Sequence, residues 1–231
     1  MGSAIEKLTS LVNNQHKYDI SHAEIQATQI AAVNERFQDR KDKIKLLAKR
    51  ANDAGLTEIS CMEDMVQVLF PHTAYKSYPE SFLLGEKWDK LGKWLGTVCP
   101  LPIPDIDPAT VTDIDDWIDK LEQHGIFVSC SSGTTGKSAM LVGSAKDMEW
   151  CKVETIAAYA WGSGVTPAND RRMFGLAPVA SVARNRVTGE AYIDALQAPG
   201  SEPFKYPVPP MTVGGLTKMV VLRKKIADGT A

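Results

Sequence analysis

One short stretch of the chain has the residue types and spacing of a phosphate-binding loop. Gly133 and Gly136 allow the backbone to take positive φ and to approach a ligand closely. Consecutive backbone N–H groups in such a turn form a concave anion site, and hydroxyl side chains add further donors. Lys137 adds a positive charge. We therefore predict that phosphate is bound by seven consecutive residues: Ser131, Ser132, Gly133, Thr134, Thr135, Gly136 and Lys137.

Apolar runs at residues 126–128 and 139–142 flank this stretch and predict the order strand, tight loop, strand. The order matters because a Walker P-loop has a similar composition. The Walker pattern would require Gly at the position of Ser131, and its loop runs directly into a helix whose N-terminus holds the phosphate. Here the next helix is predicted to start at Ser144, with Asp147 as its capping partner. A P-loop NTPase and a ligand-free turn are the alternatives for the same stretch.

The sequence Ser-Ser-Gly-Thr-Thr-Gly-Lys at residues 131–137 resembles the phosphate-binding loop of adenylate-forming enzymes, which include acyl-CoA synthetases, aryl-acid ligases and adenylation domains. It is most similar to the phenylacetate–CoA ligase branch, in which Lys likewise follows Thr-Thr-Gly. The chain departs from the family at Ser138, where Pro is usual, and at Ala139, where other branches often carry Lys. A weaker resemblance, in layout only, covers residues 26–142, where a helical lead-in ends in Leu-Phe-Pro ahead of the loop.

This resemblance implies an enzyme that attacks the α-phosphate of ATP with the carboxylate of a small-molecule acid and releases pyrophosphate. A thiol such as coenzyme A then takes the acyl or aryl group, and Mg²⁺ bridges the phosphates. The family's adenine- and metal-binding motif, its hinge Asp and the catalytic Lys of its C-terminal domain are not found in this sequence. We therefore expect an N-terminal portion of such a ligase, with no assigned catalytic or metal-binding residue. By itself it should bind ATP weakly or not at all and should not complete the reaction.

A second function class stays open, that of a non-catalytic binding or interaction module with an adenylation-like fold. In the family, the motif that follows the loop often supplies an aromatic side chain or a His to the acid pocket. This chain carries Val179, Ala180 and Ser181 there, so no such residue can be carried over. The missing aromatic favours the binding module, whereas the intact loop favours the enzyme.

Composition excludes several other classes. The net charge is −2, so the chain lacks the basic footprint of a nucleic-acid-binding protein. No apolar run approaches the ~20 residues of a membrane span, and the N-terminus lacks an apolar signal region. The four cysteines are scattered without a C-x-x-C pair, which predicts reduced thiols in a cytoplasmic protein and no zinc site. No pattern in the sequence assigns an oligomeric state.

The chain divides by composition into a helical N-terminal region at residues 1–98, a proline-rich connector at 99–111 and an α/β nucleotide-binding subdomain at 112–231. The predicted fold class is α/β, with the helical lead-in followed by a mostly parallel sheet flanked by helices. The apolar pattern predicts one long helix over residues 23–54, closed by a glycine C-cap at Gly55. Later helices are predicted at residues 62–69, 113–124, 145–161, 184–195 and 216–227, and a buried parallel strand at 171–178.

Three further groups could bind or react, but each has a simpler structural interpretation. His72 could act as a general base, although no partner acid is predicted near it. It begins a polar, aromatic segment at residues 72–79, which fits a packed turn with Tyr75 and Tyr78 half buried as well as it fits a binding surface. The connector is favoured as a linker over an SH3 ligand, since no Arg or Lys flanks it. A basic cluster ends the last predicted helix, where pairing with the helix dipole accounts for its charges: Arg223, Lys224 and Lys225.

Overall fold

The computed structural model describes residues 2–14, 16–131, 137–176, 178–179 and 181–230. Its regular elements are ten α-helices and two β-strands within this part of the chain, and short 3₁₀ turns lie at Leu11–Asn13, His72–Lys76 and Pro108–Thr110. The elements run in the order α1 (Ala4–Ser10), α2 (His22–Arg40), α3 (Lys45–Asp53), α4 (Met62–Val68), α5 (Glu80–Leu84), α6 (Trp88–Val98), α7 (Ile114–Gln123), β1 (Ile126–Cys130), β2 (Met140–Ser144), α8 (Ala145–Ser163), α9 (Ala183–Leu196) and α10 (Val213–Ala227).

The chain forms two compact units. The first comprises Met1–Ala74 and Trp94–Pro102, and the second comprises Tyr75–Lys93 and Ile103–Ala231. No helix among the described residues combines the length and the apolar character that crossing a bilayer requires. All four cysteines carry free thiols.

The first unit is helical. Its core contains Phe37, Ala51, Ile59 and Val68, which are buried where α2, α3, α4 and the segment between the last two meet. The single long helix predicted over residues 23–54 is two helices, because the backbone of Ile44 is extended and interrupts the ladder between α2 and α3. Each helix then turns its own apolar stripe toward the shared core.

The predicted glycine cap of the second of these helices is confirmed. Gly55 has φ +66°, its N–H donates to the carbonyl of Asn52, and the N–H of Leu56 donates to that of Ala51. These two bonds form a Schellman motif, in which the left-handed residue is normally glycine. For the next helix the sequence predicts Ser60 as the N-cap, with Glu63 three residues on, but the cap lies one residue later. Cys61 is the N-cap, and the Asp64 carboxylate accepts from the backbone N–H of Ser60 and Cys61.

We predict that Gly55→Ala lowers the local stability of α3 by about 1–2 kcal/mol, because an L-residue is strained in the left-handed region. A Cβ at Gly55 would meet no atom within 4 Å, so the cost is conformational and not steric. Gly189→Ala, inside α9 and equally open, should instead raise the local stability by about 0.5–1 kcal/mol. Hydrogen exchange resolved to peptides of each helix measures both changes. Equal effects of the two substitutions would contradict the prediction.

The second unit is built around a two-stranded antiparallel hairpin. β1 and β2 pair with Ile126 opposite Ser144 and Cys130 opposite Met140. Helices α7 and α9 pack against β1, α8 packs on α9, and α10 packs on α7. Ile126 and Val128 point to the buried face of β1, in the alternation expected of a strand with one covered face.

Two polar contacts fix the helices around the hairpin. Arg186 of α9 pairs with Glu122 of α7. The N–H of Gly214, near the start of α10, donates to the Asp115 carboxylate at 2.9 Å. A Cβ at Gly214 would lie 2.4 Å from that carboxylate, so only glycine permits this approach. The helices and hairpin thus give a mixed fold of helices and a small sheet.

The predicted mostly parallel sheet is wrong for the described part of the chain, where the only sheet is the antiparallel hairpin. Strands joined by a short loop pair antiparallel, whereas parallel pairing needs a crossover. The segment at residues 171–178 is predicted as a buried parallel strand and a turn. Its described residues form only isolated parallel bridges, from Arg171 to Gln197 and from Phe174 to Phe204. Phe174 is also 64% exposed, so an apolar composition alone misplaced the segment in the core.

Candidate functional site

The stretch predicted to bind phosphate begins at Ser131, directly after β1, and ends at Lys137, shortly before β2. The N–H of Ser131 donates to the carbonyl of Ala139 at 3.0 Å, and the N–H of Ala139 donates to the Ser131 hydroxyl at 2.8 Å. These bonds extend the β1–β2 pairing by one step and close the neck of the loop. The two strands predicted on either side of the stretch are therefore confirmed. β2 and not a helix follows Lys137, so the arrangement does not match a Walker loop.

Two of the seven predicted phosphate ligands belong to the described part of the chain. Ser131 is exposed at the neck, where its oxygen accepts one bond and its hydrogen can still donate. Lys137 is partly exposed on the returning side of the loop. The other five lie outside the described residues: Ser132, Gly133, Thr134, Thr135 and Gly136.

The ammonium group of Lys137 contacts Tyr78, which lies far away in the sequence. It donates a hydrogen bond to the Tyr78 carbonyl, and it sits 4.4 Å from the centroid of the Tyr78 ring. This distance is within the range of a cation–π interaction. Partial burial lowers the pKa of Lys137, and the nearby carboxylate of Glu80 opposes that shift. The Tyr78 carbonyl thus accepts from one of the three N–H groups of the ammonium group. The other two make no hydrogen bond among the described residues.

The hydroxyl group of Tyr78 also contacts the returning side of the hairpin, next to Lys137. This hydroxyl donates to the carbonyl of Ser138 at 2.8 Å, and the residue is completely buried. Burial raises the pKa of Tyr78 to about 12, with smaller contributions from the Cys130 and Glu80 side chains. The hydroxyl therefore stays protonated and able to donate across the physiological pH range. Three contacts, two to Lys137 and one to Ser138, bind the end of the loop to one buried aromatic residue.

The thiol of Cys130 ends β1 directly before the loop. Burial raises its pKa to about 12, and the carboxylate of Asp115 adds to the shift. A thiol in this state is a weak nucleophile, because the thiolate is the reactive form. Cys130 is thus a residue of β1, and its protonated state gives no support to a catalytic role.

The remaining sequence candidates take no part in the contacts described above. His72 is exposed in its 3₁₀ turn. Arg223 and Lys225 are exposed near the end of α10, as pairing with the helix dipole requires. Val179 and Ser181 precede α9 in the sequence, and both bond with the backbone of Met211, whereas Ala180 lies outside the described residues. Within the described residues, no group of three or more His, Cys, Asp or Glu side chains could hold a metal ion.

Tyr78 is the site residue that the sequence analysis missed. The sequence indicated a half-buried aromatic in a packed turn, whereas the structure buries Tyr78 fully against the loop end. No local pattern identifies this contact, since 60 residues separate the hydroxyl from its acceptor. A pairing of this kind depends on tertiary packing and not on spacing in the sequence.

The chain matches no protein-family model, no curated protein and no solved structure. The residues and geometry of the hairpin are therefore the basis for assigning a function. That geometry offers a neck closed by Ser131 and Ala139, a cation at Lys137 and a buried residue, Tyr78, that contacts Lys137 and Ser138. A lysine held in this way loses less conformational freedom when it pairs with an anion.

Proposed function

We propose that the hairpin loop binds the phosphates of ATP in an AMP-forming ligase that activates a small carboxylic acid. The observation that carries the proposal is the closed neck between Ser131 and Ala139, with Lys137 on the returning side and a strand after it. A loop fixed at both ends can present its N–H groups to an anion, and the strand that follows separates it from the Walker type. The likeness of residues 131–137 to the family loop supports the same assignment.

The loop chemistry suits the departure of pyrophosphate. Negative charge builds on the β- and γ-phosphates as the carboxylate attacks the α-phosphate, and fixed dipoles with a cation stabilise such charge. In this proposal Lys137 supplies the cation and the Ser131 hydroxyl supplies one donor. An acyl or aryl adenylate is the product, and a thiol such as coenzyme A is the acceptor. Mg²⁺ would arrive with the nucleotide, and we assign it no protein ligand.

One observation favours the second candidate, a non-catalytic interaction module. The Lys137 ammonium group is already hydrogen bonded to the Tyr78 carbonyl and lies over its ring. A lysine used in this way stabilises the hairpin without any ligand. Glu80 also places negative charge near the same amine, which disfavours an incoming anion. The two candidates therefore differ in whether an anion can engage Lys137.

Titration of the ¹⁵N-labelled protein with pyrophosphate tests the proposal, because chemical shifts detect even millimolar binding. We expect saturable shifts of the amides at residues 131–139. Lys137→Ala should weaken this binding about fivefold or more, the value of one partly exposed ion pair. Lys146→Ala is the matched control, since Lys146 is an exposed lysine on α8 just after the hairpin.

Sodium sulfate at equal ionic strength distinguishes specific binding from screening. Shifts that sulfate reproduces equally, or that persist unchanged in Lys137→Ala, would overturn the phosphate assignment. Absence of any shift would favour the interaction module. Circular dichroism of both lysine variants verifies that the fold is retained.

A further inference from the structure

The first compact unit contains an apolar pocket that the proposed ATP site does not use. It lies between α1, α2 and the residues that start α4, and its volume is about 560 Å³. Pockets that bind small molecules typically measure about 300–1,000 Å³. Its apolar walls come chiefly from Ile5, Leu8, Ile30, Val33, Met62 and Met65.

The wall formed by α1 is held in place by polar contacts and not by burial. The Glu35 carboxylate accepts from the N–H groups of Ala4 and Ile5 at 2.7 and 3.1 Å, which fixes the start of α1 against α2. Ser3 and Glu6 complete a capping box at the same end. No described residue of α1 is buried. Its apolar side chains therefore line an open pocket instead of a filled core.

Arg36 is the only charged residue that lines the pocket within the described part of the chain. The neighbouring acids of α2 have closer partners than Arg36, although the charge of Arg36 also contributes to the lowered pKa of Asp39. Glu35 binds the start of α1, and the Asp39 carboxylate pairs with Arg40 and Lys43. Arg36 makes no ion pair within 4.0 Å among the described residues. A guanidinium group thus lies at an apolar pocket, where it can pair with a ligand.

We propose that this pocket binds an amphipathic monocarboxylate, with its aliphatic tail among the apolar walls and its carboxylate on Arg36. Burial of the tail supplies the affinity, at about 25 cal/mol per Å² of apolar surface removed from water. The guanidinium group selects the head, because its planar donors match a carboxylate in a bidentate pair. Met62 and Met65 adapt to tails of different length, since methionine is unbranched and flexible. The site is independent of the proposed ATP loop.

Calorimetric titration with three ten-carbon probes below their micelle concentrations tests this assignment. Decanoate should bind about fivefold more tightly than 1-decanol, which has the same tail and no charge. Decyltrimethylammonium should bind more weakly than the alcohol. In Arg36→Gln the preference for decanoate over 1-decanol should disappear. Lys45→Gln is the matched control, because Lys45 is an exposed cation of the same unit that does not line the pocket and makes no ion pair among the described residues.

Cys61 provides a local readout, because it lines the pocket and carries a free thiol. Saturating decanoate should slow alkylation of Cys61 by iodoacetamide several-fold, as measured by peptide mass spectrometry. Cys151, a partly exposed thiol of the second unit, should react at an unchanged rate. This comparison also separates binding in the pocket from general adsorption of an amphiphile.

Several outcomes would overturn the proposal. If decanoate and 1-decanol bind equally to the unmodified protein, Arg36 does not select a carboxylate. If decanoate binds and Cys61 is not protected, the ligand lies elsewhere. If none of the three probes binds, the pocket does not accept a small amphiphile. Dimerisation that blocks decanoate binding would instead identify the pocket as a contact between copies of this chain.

Discussion

Trp117→Ala is expected to lower the free energy of unfolding of the second unit by about 3–5 kcal/mol, the usual cost of truncating a buried aromatic side chain. Trp117 is 1% exposed and stacks on Trp88, with ring centroids 6.1 Å apart. It lies on the face of α7 that also buries Leu121, and α7 packs on β1. The cavity would therefore open beneath the strand that leads into the loop. Urea denaturation, with peptide-resolved hydrogen exchange in α7 and β1, measures the loss.

Asp119→Ala is the matched control for this substitution. Asp119 lies on the same helix, is exposed, and makes no ion pair among the described residues. Its substitution should change stability by less than about 0.5 kcal/mol. If Trp117→Ala lowered the free energy of unfolding no more than Asp119→Ala, that result would contradict the packing of α7 on the hairpin. Exchange in peptides of the first unit serves as an internal reference for both variants.

Local signals in the sequence predicted most of the helices. Ser144 and Asp147 form the predicted capping box at the start of α8, with each side chain bonded to the backbone of the other residue. The spacing of Trp88, Leu91 and Leu95 in the sequence predicts a helix with these residues on one face, and all three are buried on α6. These predictions succeed because capping and helical periodicity depend on residues within one or two turns. No distant contact is needed to recognise them.

Arrangement of the sheet could not be predicted in the same way. Alternation of helix and strand after the loop suggested parallel pairing, yet β1 and β2 pair with each other across the loop. The neck contact between Ser131 and Ala139 follows from that pairing. An apolar run such as residues 171–178 indicates a strand but does not specify its partner or its burial. Those depend on the tertiary environment, which overrides local preference.

The sequence identifies the residues that could form the candidate site, but it does not identify Tyr78 as the residue that holds Lys137 in place. Lys137 lies beside the loop as expected, but its contacts with Tyr78 could not be read from the sequence. The structure thus adds an anchor that limits the movement of the loop end. An anchored loop loses less conformational freedom when a ligand binds, which favours affinity. The same anchor reduces the reach of the Lys137 side chain, so Tyr78 has a role in both candidate functions.

Tyr78→Ala is the substitution expected to disturb this site most, with a loss of about 3–5 kcal/mol of unfolding free energy. It would remove a completely buried ring, its hydrogen bond to the Ser138 carbonyl and its contact with the Lys137 ammonium group. Hydrogen exchange should rise most at residues 137–140, on the returning side of the hairpin. Urea denaturation gives the overall loss.

Tyr78→Phe is the control that separates the ring from its hydroxyl. It retains the packing and should cost only about 1–3 kcal/mol, because the Ser138 carbonyl loses its donor. The two variants should also differ from the unmodified protein in how their folding stability changes at alkaline pH. The pKa of Tyr78 is about 12 in the folded state, against about 10 for an unfolded tyrosine. Between these values the unfolded chain loses the proton first, so this contribution to stability is complete below pH 10 and is lost toward pH 12.

The unmodified protein should therefore lose stability between about pH 10 and 12 more steeply than Tyr78→Phe does. Some loss should persist in the variant, since burial also raises the pKa of Cys130 to about 12. The difference between the two pH profiles isolates the phenol. Identical profiles would mean that the Tyr78 hydroxyl is not buried against the hairpin. In that case Lys137 would have no fixed anchor, and the preorganisation that we attribute to the loop would be lost with it.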